Sequence, residues 1–267
     1  MYIIGEKING MFKKVNQAIK EKNSNFIKEL VQQQLEAGAD ALDVNVGPES
    51  TNPLEDMKWL ISTIKEVTNV PLAIDTTKPE IMEEGLKLAG EGSFINSTYA
   101  DDEKLEIYIP LAKKYNAKLI ALTISQTGVP QDTSGKMELV SNIIQKCLEC
   151  EYNIENLYID PVILPINVSQ QNAIAVLEVI QQIKLISNPP PKTLLGLSNI
   201  SQGTKYRSLI DRTYVTLALA FGLDSAILNP LDSELMNSII TAELLLGKQL
   251  YCESFLDAYR KKIELKN

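Results

Sequence analysis

Short apolar runs that stop on Asp, Asn or Ser recur along the chain. PLAID (Pro71–Asp75), SFINS (Ser93–Ser97) and LYID (Leu157–Asp160) follow this pattern, and in KTLLGLSNISQ (Lys192–Gln202) the stretch LLGL leads straight into Ser198 and Asn199. Apolar runs of this kind fit strands covered on both faces, as in a parallel sheet packed by helices. The pattern predicts strands at Tyr2–Ile4, Ala41–Val46, Pro71–Asp75, Ser93–Ser97, Lys118–Thr123, Leu157–Asp160, Thr193–Leu197 and Ser225–Leu228. Between them apolar residues fall at helical spacing, for example Met57, Leu60, Ile61, Ile64 and Val67, or Val140, Ile143, Ile144, Cys147 and Leu148. Further helices are expected near Asn25–Ala37, Pro79–Leu88, Glu103–Tyr115, Asn172–Ile186, Arg212–Phe221 and Glu234–Leu246, with a last one at Ser254–Leu265. Strand and helix alternate in eight units. In a chain of 267 residues this predicts a single α/β domain, residues 1–267, folded as a (β/α)8 TIM barrel.

A hydrophobic content of 45% supplies one large core. With 26 basic against 34 acidic residues, the net charge of −8 offers no basic face for counterion release, so neither nucleic acid nor an anionic membrane is an expected partner. No charged segment followed by an apolar one opens the sequence, and the longest apolar run, Tyr214–Leu223, falls well short of the ~20 residues that span a bilayer. A cytoplasmic protein is expected. Cys147 and Cys150 form a CxxC, but inside a helical stripe and without the histidine or second cysteine pair of a zinc site, so no protein-bound metal is expected. The chain has no histidine at all, which removes the commonest general base and excludes Ser–His and Cys–His nucleophiles. Chemistry must rest on carboxylates, amides, hydroxyls and ordered water.

In such a barrel the C-terminal strand ends line the active-site mouth. Here they are Glu6 and Asn9, Asp43 and Asn45, Asp75, Asn96, Thr123, Asp160, Ser198 and Asn199, and Asn229. Polar residues at strand ends often only cap the next helix. Other residues can take that duty here. Thr77 and Glu80 have the spacing of a capping box, Asp101 or Asp102 can start the helix after Asn96, Ser169 the one after Asp160, and Asp211 the one after Asn199. Asp75, Asn96, Asp160 and Asn199 are then left over for binding. A carboxylate accepts two parallel N–H bonds from a guanidine-like ring edge, and amides supply donors and acceptors to the neighbouring ring atoms. A flat heterocycle rich in ring N–H, amino and carbonyl groups suits this set. A sugar phosphate suits it less, because no Gly-rich phosphate loop follows the seventh or eighth strand. A Schiff-base aldolase is disfavoured because no lysine lies within the apolar run of a core strand.

GEKING (Gly5–Gly10), ALDVNVGP (Ala41–Pro48), IDTT (Ile74–Thr77), INST (Ile95–Thr98), LYIDP (Leu157–Pro161) and GLSN (Gly196–Asn199) closely resemble the methyltetrahydrofolate:corrinoid/iron–sulfur protein methyltransferases, in the same order and over essentially the whole chain. The resemblance implies a pterin-binding barrel that moves the N5 methyl group of 5-methyltetrahydrofolate to the Co(I) cobalamin of a partner corrinoid protein. It also implies a homodimer and a role in the acetyl-CoA pathway or related one-carbon metabolism. Carried over by motif, Asp75, Asn96 and Asp160 hold the pterin edge, Asn199 bonds near N5, and Gly196, Ser198, Gln202 and Arg207 complete the pocket. Asn199 and Asp160 are the expected catalytic residues. Three alternatives stay open: a methyltransferase of an O- or N-demethylase system, a dihydropteroate synthase-like enzyme, and a non-catalytic pterin-binding protein.

Overall fold

The computed structural model describes residues 1–248. Eight parallel strands close into a barrel in chain order: β1 (Tyr2–Asn9), β2 (Ala41–Asn45), β3 (Leu72–Asp75), β4 (Phe94–Tyr99), β5 (Lys118–Leu122), β6 (Leu157–Asp160), β7 (Lys192–Gly196) and β8 (Ser225–Leu228). Outside them run α1 (Lys13–Glu21), α2 (Ser24–Glu36), α3 (Pro53–Lys65), α4 (Pro79–Ala89), α5 (Asp102–Lys114), α6 (Thr133–Glu149), α7 (Gln170–Ile183), α8 (Arg207–Ala220) and α9 (Ser233–Leu245). The expected (β/α)8 architecture is the observed one.

Successive strand residues face opposite sides, and this alternation builds the site. Outward residues such as Leu42, Val44, Ile74, Ile95, Ile159 and Leu195 join the core under the helices. Inward, Ile4, Ala41, Ala73, Phe94, Ile120, Tyr158 and Leu194 form a second cluster that plugs the barrel. Phe94 meets Tyr158 edge-on with ring centroids 5.2 Å apart, and the Lys118 ammonium lies 4.6 Å from the Phe94 ring centre. Two residues beyond this plug, and so on the same inward face, stand Glu6, Asp43, Asp75, Asn96, Asp160 and Gly196. On β1, β2, β3, β4 and β6 the apolar run therefore ends in a polar mouth about 6–7 Å above the plug, while Leu122 of β5 and Ile227 of β8 give the mouth apolar lining.

Several local expectations are corrected. β1 runs to Asn9 rather than Ile4, with a register shift between Gly5 and Ile8 that brings both Glu6 and Lys7 to the mouth. Gly5 is needed there, because a Cβ would sit 2.5 Å from Oε1 of buried Gln34, the atom that accepts the Lys7 backbone N–H at 3.0 Å. Helix α1 was not expected; it buries only Val15, Ala18 and Ile19, too short a stripe to stand out. The Thr77–Glu80 capping box does not form. Lys78 takes the N-cap position of α4 without a side-chain cap, and Pro79 follows at the start of the helix, where a missing N–H is harmless. α8 begins at Arg207, so Asp211 lies inside it rather than before it, and part of the expected Ser201–Ser208 loop is helical. Asp101 precedes α5 as expected, but its carboxylate accepts the Gln126 N–H at 2.9 Å instead of capping. Ser169 does cap α7, accepting the Asn172 N–H at 3.2 Å. The helix expected at Ser254–Leu265 falls outside the described residues. Among the described residues, no helix is long and apolar enough to cross a membrane.

Candidate active site

A cavity of about 890 Å³ opens at the C-terminal mouth of the barrel. Asp75, Asn96, Asp160, Gly196, Ser198, Asn199, Gln202 and Arg207, all eight sequence-derived site residues, line it together. So do Glu6, Lys7, Asn9, Phe12, Asp43 and Asp211.

One wall is a ladder of acids and amides from β2, β3 and β4. Asn45 Nδ2 donates to Asp75 Oδ2 at 2.6 Å, and Asn96 Nδ2 donates to Asp43 Oδ1 at 2.8 Å. Neighbouring strand ends lie level, with Asp75 beside Asn96 in the β3–β4 register. The Asn45 carboxamide is itself aimed by the Gly47 N–H, which donates to its Oδ1 at 2.6 Å. That turn demands glycine twice. Gly47 has φ +79°, and a Cβ on Gly10 would lie 2.1 Å from the Val46 carbonyl oxygen. Burial, then the nearby Asp75 charge, pushes the Asp43 carboxyl well above the usual carboxylate range, while the Asn96 bond opposes this. Burial also raises Asp75, opposed by Asn45. Burial thus works against ionising either neighbouring carboxyl, and the Asp75 charge adds to this at Asp43.

Opposite stands Asp160, buried at the end of β6. Its Oδ1 accepts the Val162 N–H at 2.8 Å and its Oδ2 the Gly196 N–H at 3.3 Å. Val162 has φ +56°, a costly conformation for a β-branched residue, so the turn after β6 must be held from outside as well. Lys136 of α6 does this. It is fully buried, and its Nζ donates to the Pro161 carbonyl at 2.6 Å and to that of Val162 at 3.2 Å. Burial lowers the Lys136 ammonium to about 8, and the Asp160 and Asp132 charges oppose that. Burial raises Asp160 to about 6, against the pull of its two backbone N–H bonds and of Lys136.

This fixes the sign of a pH effect. Below about pH 4 the Asp160 carboxyl is protonated folded or unfolded and costs nothing. Between about pH 4 and 6 the folded protein keeps a proton that the unfolded chain has lost, so this group's contribution to stability declines as pH rises and its cost is complete above about pH 6. Asp160→Asn is therefore expected to gain about 2–3 kcal/mol relative to the parent between pH 4 and pH 7. Denaturant unfolding at the two pH values checks this, and parallel behaviour of the two proteins would contradict it.

The third side comes from the tight turn that follows β7. Asn199 lies in that turn and lines the cavity, and its carboxamide makes no hydrogen bond among the described residues. Gly196 leaves room for it, since a Cβ there would lie 2.9 Å from Asn199 Nδ2. Arg207 clamps the same turn, its Nη2 donating to the Ser198 carbonyl and its Nε to Ser201 Oγ, each at 3.1 Å. The Gln202 N–H donates to the Asn199 carbonyl at 3.2 Å. Asp211, one turn beyond Arg207 on α8, is raised by burial and opposed by Ser201 and Arg207.

Residues 13–229 match the family of pterin binding enzymes. The chain belongs to that family. It is 30% identical over 263 residues to a methylcorrinoid:tetrahydrofolate methyltransferase of Eubacterium limosum, covering 98% of this chain and 97% of the relative. It is 26% identical over 241 residues to a methionine synthase of Mycobacterium leprae, covering 85% of this chain but only 20% of that protein. In fold, this pterin-binding enzyme resembles a dihydropteroate synthase from Clostridium difficile, with TM-score 0.71, 19% identity and coverage of 92% and 96% of the two chains.

Sequence reasoning gathered the strand-end residues of this site and missed its supports. Asp43 was visible as a rim residue, in phase with Ala41 and Asn45, but not its bond to Asn96. The i, i+4 spacing of Arg207 and Asp211 could have shown that they share a helix face. For Lys136 no sequence signal exists, because nothing in its neighbourhood tells that it reaches the far side of the β6 turn.

Proposed function

We propose that this pterin-binding enzyme transfers the N5 methyl group of 5-methyltetrahydrofolate to the Co(I) centre of a corrinoid carried by a partner protein. One observation carries the reading: Asn199, whose carboxamide makes no hydrogen bond among the described residues, lines the same cavity as Asp75, Asn96 and Asp160. Asp75 and Asp160 accept N–H bonds from the pterin edge, Asp75 oriented by the Asn45 amide and Asp160 by the Val162 and Gly196 N–H groups. When the methyl–N5 bond breaks, the electron pair stays on N5. Asn199 donates a hydrogen bond to it, and Asp160 orders the water through which a proton reaches it. The corrinoid supplies the nucleophilic cobalt that takes up the methyl group. An uncharged amide can keep its contact as N5 changes charge, which suits a chain without histidine.

The corrinoid/iron–sulfur protein and the acetyl-CoA pathway are the proposed setting, with the enzyme a homodimer. The Eubacterium limosum relative favours a second setting, an O- or N-demethylase system, because its name gives the transfer in the opposite order. One site serves both directions, since the same groups stabilise the transition state approached from either side. Rates with 5-methyltetrahydrofolate plus cob(I)alamin, and with methylcobalamin plus tetrahydrofolate, test the reading. Enzyme-dependent transfer is expected in both; dihydropteroate formation from a pterin pyrophosphate and p-aminobenzoate, without methyl transfer, would overturn it.

A further inference from the structure

The cavity holds an electrostatic mismatch with the ligand proposed for it. Glu6, Asp43, Asp75, Asp160, Asp211 and Asp232 all line it, whereas its lining cations are Lys7 and Arg207. A folate carries two carboxylates on the glutamate at the far end of its tail. That end must avoid most of this acidic mouth. Arg207 is committed to Ser198 and Ser201 and lies next to Asp211 in charge terms. Lys7 is different. Its ammonium has no hydrogen bond or ion pair among the described residues and rests 4.2 Å from the centre of the Phe12 ring. The register shift in β1 turns Lys7 into the cavity instead of the core. Phe12, just before α1, is 40% exposed and lines the same edge.

We propose that Lys7 and Phe12 form the tail subsite of this enzyme, Lys7 pairing with a glutamate carboxylate while the Phe12 ring supports the p-aminobenzoyl ring. This rests on the folate reading above and adds the direction in which the substrate leaves the barrel, across the loop between β1 and α1. The aromatic ring holds the ammonium in place before the anion arrives, so less side-chain freedom is lost on binding. The remaining barrel mouth stays open for the corrinoid.

Isothermal titration of the full chain with 5-methyltetrahydrofolate, and with 5-methyltetrahydropterin lacking the tail, tests the assignment. Lys7→Gln is expected to weaken folate binding about 3- to 10-fold and Lys7→Glu by more than about 10-fold, while Lys7→Arg keeps it. The tail-less pterin should bind all four proteins within about twofold. Added salt should narrow the folate gap between parent and Lys7→Gln. Equal losses for folate and tail-less pterin, or no folate loss in Lys7→Glu, would overturn the tail subsite and leave the folate reading standing. A parent protein that binds neither ligand would overturn both.

Discussion

Asn199→Ala is expected to lower kcat by about 10²–10³ while the affinity for 5-methyltetrahydrofolate falls far less, as when one preorganised donor is lost. The reason is the state of its carboxamide. Asp75, Asn96 and Asp160 are already bonded within the protein and so are built to hold a ligand in place. Among the described residues Asn199 has no such engagement, and Gly196 leaves its amide room. An uncommitted donor in the cavity lining gains most where charge develops. Single-turnover kinetics separate the two effects: a binding loss as large as the rate loss would mean that Asn199 holds the ground state and another group activates N5.

Asp75→Ala and Asp160→Ala should mainly damage binding. A buried charge-assisted bond contributes ~1.5–3 kcal/mol, which corresponds to a folate affinity lowered roughly 10- to 150-fold. Asn96→Ala differs in kind, because Asn96 supports buried Asp43. Removing the amide leaves an acid without its donor, so thermal stability should fall along with folate affinity. Calorimetry and thermal unfolding on the three variants check this. Folate affinity at the parent level in all three would remove the cradle assignment.

The barrel and the inner wall of the site were legible in the sequence because both follow from period-two alternation. A strand residue that faces the plug is followed two positions later by one that faces the mouth, so Tyr158 predicts where Asp160 points and Phe94 where Asn96 points. Irregularities broke that legibility. The shift in β1 depends on Gln34, which approaches Gly5 from α2 and has no local sequence mark. Lys136 reaches the β6 turn from α6, 25 residues away in sequence from Pro161. The start of α8 was misplaced because Asp211 resembles a helix cap, while its actual surroundings are Ser201 and Arg207. The Gln34 and Lys136 contacts are partners brought in by tertiary packing, which propensity and spacing do not encode, whereas α1 was missed because its buried stripe is short.

On the proposed reading, this cavity moves a methyl group between folate N5 and a corrinoid cobalt. The most direct measurement is a single turnover with 5-[13C]methyltetrahydrofolate and cob(I)alamin, following the label by NMR and the corrinoid by absorbance. The label should appear on cobalt only with the enzyme present, with the rate reduced about 10²–10³ by Asn199→Ala. Labelled methyl remaining on folate at the uncatalysed rate, with folate bound, would contradict it.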